Sequence, residues 1–190
     1  MTYRFRVLAA ATLLVTSLAG VAACSTAGAD PGGQGYVSGD GSIITVPASQ
    51  RSEKPDLSGI ALTGQKLSLS SYAGHVTVVN VWGSWCSDCR VETPSLVAAS
   101  KRLAPQGVHF LGVDIRDNPD AARAYEKAHG ITWPSLNDPS SQTLLAFQKY
   151  PAMAPPTTYV IDPQGRVAAR VLGPITETTL VDLVKGVLHG

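Results

Sequence analysis

The chain has 190 residues, enough for one compact domain with extensions and short for two. Charged residues make up 15%, hydrophobic residues 44%, and the formal net charge is +1, so there is no acidic or basic excess to attract a highly charged partner. Nucleic-acid binding therefore has no support.

The N-terminus carries Arg4 and Arg6, an apolar run from Val7 to Leu18, and then Val21-Ala22-Ala23-Cys24. The run falls short of the roughly 20 apolar residues of a membrane span and closes on small residues, which marks residues 1–23 as an export signal. Val21 to Cys24 resembles the bacterial lipobox, whose cysteine is lipidated and becomes the first residue after cleavage. On that resemblance Cys24 is an anchor and not a redox centre. The competing reading is a secreted protein cleaved near Ala23, with an unpaired thiol in an oxidising compartment. Residues 24–55 are rich in Gly, Ser, Ala and Pro and are expected to form a flexible tether. Within them, Ile43-Ile44-Thr45-Val46 could pair as an added strand, and the domain is expected over 56–190.

From Leu57 onward, short apolar runs bounded by turn residues alternate with helical patterns, the order of an α/β domain. Ile60–Leu62 and Lys66–Leu69 flank Thr63-Gly64-Gln65 as a hairpin. Val76–Trp82 is a nearly continuous apolar run, the signature of a central strand covered on both faces. A helix is expected from Cys86 to Leu103, then a strand from Val108 to Ile115, forming a βαβ unit. Asn118 caps a helix opened by Pro119 and closed by Gly130. A strand at Thr132–Leu136 and a helix near Ser141–Lys149 follow. Thr157–Ile161, the turn Asp162–Gly165 and Arg166–Leu172 form an antiparallel hairpin, and a last helix capped by Thr176 presents Leu180, Leu183, Val184 and Val187 on one face.

The chemistry concentrates in Trp82-Gly83-Ser84-Trp85-Cys86-Ser87-Asp88-Cys89, where a buried strand runs into a helix opening at the first cysteine. Unsatisfied N–H groups and the helix dipole stabilise a thiolate there, which makes Cys86 the attacking sulfur. Cys89, nearly one turn further on, can close a disulfide with it and serves as the shielded, resolving thiol. A structural disulfide and half of a zinc site compete with this reading. His75, His109, His129 and His189 form no closely spaced pair and there is no second CxxC, so no metal is expected. Asp88 adds negative charge beside the pair, which opposes thiolate formation and leans the couple toward reductase work. Pro94 is expected to bend the helix without breaking the fold.

The segments Val78–Cys86, Cys89-Arg90-Val91-Glu92-Thr93-Pro94, Val113-Asp114 and Pro156–Asp162 resemble the thioredoxin-like proteins, and among them the membrane-anchored TlpA/ResA-like group that includes cytochrome c maturation thioredoxins. The resemblance covers about Leu57 to Leu188. It implies a thioredoxin fold, with a central mixed sheet flanked by helices, an N-terminal hairpin and a family-type insertion. It also implies that Pro156 is a cis-proline facing the cysteines, with Pro155 the other candidate; Pro156 is preferred because the strand register starts at Thr157. Trp85, Pro155 and Thr157 are the expected substrate-binding residues. Pro155 departs from the usual pattern, because it cannot donate a backbone hydrogen bond to a docked strand. Asn80 stands where cytoplasmic thioredoxins carry a buried aspartate, and the group carries an acid at the position of Glu92. Glu92 is thus the candidate to move the Cys89 proton, against the reading of a solvated helix acid.

The expected function is dithiol–disulfide exchange with extracytoplasmic protein partners, by a monomer that needs no cofactor beyond the Cys86–Cys89 disulfide. By resemblance the task is reduction of apocytochrome c, recharged by a membrane thiol–disulfide transporter, from a lipid anchor on the outer face of the cytoplasmic membrane. A disulfide-forming oxidase is the alternative within the class. A copper or haem chaperone using the pair as ligands is the alternative outside it, with Met153 close enough to watch.

Overall fold

The computed structural model describes residues 42–190. The expected signal, Cys24 and most of the expected tether lie outside the described residues. The elements run β1 (Ile43–Thr45), β2 (Ser58–Ile60), β3 (Lys66–Ser68), β4 (Thr77–Trp82), α1 (Ser87–Leu103), β5 (His109–Ile115), α2 (Pro119–His129), β6 (Ser135–Asp138), β7 (Thr157–Ile161), β8 (Val167–Leu172) and α3 (Glu177–Leu188).

Six strands form one mixed sheet in the order β1-β8-β7-β4-β5-β6, and β2 pairs with β3 as a separate hairpin. Every residue of β4 is buried, as its apolar run predicts, because β5 lies parallel to it on one side and β7 antiparallel on the other. The pleat sends alternate residues to opposite faces. On one face Val78, Phe110, Val160 and Val171 pack with Leu96 and Leu103 of α1 and Leu180, Val181 and Val184 of α3. On the other, Val79, Val81, Leu111, Val113, Tyr159 and Ile161 are covered by Leu57, Leu69 and Phe147.

Local signals account for the helix ends. Cys86, Asn118 and Thr176 each accept an N–H in the first turn of α1, α2 and α3. Pro94 sits inside α1, which continues through it. Gly130 ends α2 with φ 70°, a conformation that costs glycine little.

Three expectations change. Within the stretch expected as tether, the added strand anticipated at Ile43–Val46 forms, and residues beyond it also touch the domain. β1 pairs antiparallel with β8, Val46 is buried, and Arg51 reaches the buried Asp162 at 3.5 Å. β8 would otherwise present an open edge, which β1 completes. The expected helix near Ser141–Lys149 is only a 3-10 turn at Gln142–Ala146. Asp138 fixes it by accepting from the N–H groups of Gln142 and Thr143, and Phe147 is then drawn down to stack on Tyr159 with ring centroids 3.8 Å apart. Third, the strand expected at Thr132–Leu136 begins at Ser135, since Pro134 cannot donate and contributes only its carbonyl, to the Gly112 N–H at 2.9 Å.

Candidate active site

The site forms where β4 ends. Gly83 has no room for a side chain: a Cβ there would meet Trp85 Nε1 at 2.6 Å and the Ile115 carbonyl at 3.2 Å. That vacancy lets the Trp85 indole lie across the loop and donate to the Ile115 carbonyl at 3.1 Å, with the Arg116 guanidinium 5.3 Å from its ring centre. Trp85 is nonetheless 48% exposed, so it forms a fixed apolar rim beside Cys86. Below it the loop is clamped: Asp117 accepts from the Ser84 N–H at 2.5 Å and the Ser84 hydroxyl at 3.0 Å, and Arg90 donates to the Ser84 carbonyl at 2.8 Å.

Cys86 is the N-cap residue of α1, and the Cys89 N–H donates to its sulfur at 3.1 Å. The two cysteines are joined as a disulfide. Both cysteines are buried, Cys86 at 5% exposure and Cys89 at 1%. The same N–H that touches Cys86 in the disulfide would stabilise its thiolate after reduction.

The Pro155–Pro156 peptide is cis. Thr157 is the first residue of β7 and lies opposite Val81 of β4, so Pro156 arrives at the end of the sheet where β4 gives way to the cysteine loop. The expected substrate-binding role of Thr157 does not fit its position: it is fully buried and its hydroxyl donates to the Ala154 carbonyl at 2.6 Å, bracing the loop from inside. Pro155 is half-buried, and Met153 nearby in sequence is exposed.

Glu92 is 1% exposed, which removes the reading of a solvated helix acid. Its Oε1 accepts from Asn80 Nδ2 at 2.8 Å and its Oε2 from the Ile175 N–H at 3.2 Å. Burial pushes its pKa up to about 7 against the pull of those two donors, and Asp88 adds a smaller push upward. A carboxyl group that titrates near neutrality, one turn from Cys89, suits proton transfer. Asn80 also donates to the Thr158 hydroxyl at 3.1 Å, so the amide ties α1 to β4 and β7.

Three further residues have no role in the sequence reading, Thr93 and Asp114 entering it only as parts of the segments that carry the resemblance. Thr93 donates to the Cys89 carbonyl at 2.7 Å and, its proton thus committed, accepts from the Tyr125 hydroxyl at 2.8 Å. Asp117 clamps Ser84, as described. Asp114 is fully buried in β5 with neither carboxyl oxygen hydrogen-bonded. Burial, then the charge of Asp117 and the interaction of the neutral acid with that side chain, then Glu126 and Asp138, push its pKa up to about 8. An aspartate inside an otherwise apolar strand was the available signal for it.

Residues 51–170 match the AhpC/TSA family. The chain belongs to that family. The thiol–disulfide oxidoreductase ResA of Bacillus subtilis (strain 168) is 30% identical over 142 residues, 75% of this chain and 78% of ResA. Two solved structures share 31% identity with it. A DsbF homologue from Corynebacterium diphtheriae superimposes with a TM-score of 0.73 over 81% of this chain and 98% of its own. A secreted thiol-disulfide isomerase from Corynebacterium glutamicum does so with a TM-score of 0.74 over 82% and 100%. The protein is a thiol–disulfide oxidoreductase of the ResA type with a thioredoxin fold. Among the described residues no helix is long and apolar enough to cross a membrane.

Proposed function

We propose that this family member is a lipid-anchored reductase of extracytoplasmic protein disulfides. Cys86, as thiolate, attacks one sulfur of a partner disulfide; that bond breaks, and the partner's other sulfur leaves as a thiolate and takes a proton. Cys89 then loses its proton to Glu92 and attacks Cys86 of the mixed disulfide. The Cys86–Cys89 bond closes and the partner departs as a dithiol, so two electrons have passed from the protein to its partner. No cofactor enters this sequence. A membrane dithiol donor would restore the reduced pair, and Cys24 would carry the lipid that keeps the domain beside it.

The observation that carries this reading is the placement of Cys86 as the α1 cap, with the Cys89 N–H on its sulfur. Asp88, exposed between the cysteines, disfavours the thiolate, which makes the disulfide less oxidising and supports the reductive direction. The resemblance to cytochrome c maturation thioredoxins supports apocytochrome c as the partner. The test is the reduction potential of the Cys86–Cys89 couple, equilibrated against glutathione. A value toward the about −270 mV of thioredoxin supports the reductase, and a value toward the about −120 mV of strong disulfide-forming oxidants replaces it with an oxidase.

A further inference from the structure

Asp114 is a buried carboxyl group that the exchange chemistry does not use. It lies beside Trp82 of β4 and Asn137 of β6 in the sheet register, and Asn137 Oδ1 is likewise buried without a hydrogen bond. The charges that act on it from the elements around it are all acidic: Asp117 from the loop after β5, Glu126 from α2 and Asp138 from β6. The nearby arginines are committed elsewhere. Arg123 pairs with Asp120 and donates to the Leu62 carbonyl at 3.0 Å, while Arg116 lies over Trp85. A carboxylate in this position would be desolvated and repelled from three sides, so the group is held as a neutral acid.

Asp117 needs the opposite state. Its two oxygens accept from the Ser84 N–H, the Ser84 hydroxyl and the Asn118 N–H, the last at 2.7 Å. An acceptor-only carboxylate meets all three donors. Ser84 lies two residues before Cys86, so this clamp sets the approach of the loop to the attacking sulfur.

We propose that Asp114 is a positioning residue of the redox site: as a neutral acid it leaves Asp117 charged and fastened on Ser84, and ionising it sets two carboxylates against each other and loosens the loop that presents Cys86. The pKa of about 8 places that release just above neutral pH. The proposal rests on the assignment of Cys86 as the attacking thiol.

The experiment compares reduced wild type with Asp114→Asn, whose amide is neutral at every pH. It follows insulin reduction and Cys86 alkylation by iodoacetamide over roughly pH 6 to 10, the range in which thiols and this acid ionise. The rate of the variant relative to wild type is expected to rise several-fold between pH 7 and pH 9, as only the wild type ionises at this position. Asp117→Asn, which removes the charge that Asp114 opposes, should be slow throughout and show no loss above pH 8. Thermal unfolding supplies the second readout. A folded pKa raised above the unfolded value means that wild type loses stability as pH rises from about 4 to 8, and Asp114→Asn should lack that share of the loss. A constant rate ratio overturns the proposal, as do parallel unfolding curves. Cys86→Ser in the same assays separates the two failures: if it still exchanges, the assignment of Cys86 is wrong, and if it is inert while the ratio stays constant, only the role of Asp114 falls.

Discussion

Glu92 and Asn80 meet inside the junction of α1 with the sheet, the Asn80 amide donating to Glu92 Oε1 at 2.8 Å. The other carboxyl oxygen accepts from the Ile175 backbone, so one buried side chain holds α1, β4 and the approach to α3 together while titrating near pH 7.

Glu92→Gln follows from this pairing. Glutamine offers one acceptor where glutamate offers two, so the Asn80 or the Ile175 donor loses its partner, at about 1–3 kcal/mol. The folded pKa of about 7 lies above the ordinary value of 4.5, so wild-type stability is lost as pH climbs through that interval, by on the order of 3 kcal/mol. The two proteins should therefore be closest in stability below pH 4.5, where both side chains are neutral, and the variant should gain on wild type as pH rises through 7. Chemical denaturation at the two ends of that range checks the sign. The rate of dithiol–disulfide exchange should lose an ionisation near pH 7.

Gly112→Ala tests the packing beneath the site. A Cβ there would fall 2.8 Å from Trp82 Nε1 and 2.9 Å from Ser135 Cβ, inside a chain in which Trp82 donates to Ser135 and Ser135 donates to Glu126 at 2.7 Å. The expected cost is about 1–3 kcal/mol for overpacking, read as a fall in denaturation midpoint without a change in slope. Adding Ser135→Gly should return part of it.

Cys24→Ala, outside the described residues, addresses the tether. Catalysis by the purified soluble domain should be unchanged, while cell fractionation should move the protein from the membrane to the soluble fraction. Retention in the membrane fraction would contradict the lipid anchor.

What the sequence disclosed and what it hid divide along a physical line. Asn118-Pro119 and Gly130 bracket α2 residue for residue because caps act within one turn, and β4 was plain because a strand covered on both faces must be apolar throughout. The segment after Asp138 reads as a helix in sequence but forms only a 3-10 turn, because its path is set by a long-range contact, Phe147 against Tyr159, that no local pattern records. In the site, Cys86 and Cys89 are legible as a motif and its spacing, whereas the cis bond before Pro156 is legible only through the family resemblance. Asp117 on Ser84 is not legible, since the two residues are 33 positions apart and meet only when β5 lies beside β4. The cover of β1 on β8 was half visible: Ile43 to Val46 stood out as apolar, but Arg51 and Glu53 gain meaning only from Asp162 and the Val167 N–H, which accept or donate across the fold.

The central claim is the division of labour between the cysteines, and trapping tests it most directly. Cys86→Ser and Cys89→Ser, reduced and mixed with a disulfide-bonded protein, are resolved by non-reducing electrophoresis and mass spectrometry. Cys86 carries the helix cap and the Cys89 N–H, so Cys89→Ser should accumulate a mixed disulfide through Cys86, and Cys86→Ser should form none and reduce nothing. Accumulation of a mixed disulfide through Cys89 in the Cys86→Ser protein, at a comparable rate, would contradict the account.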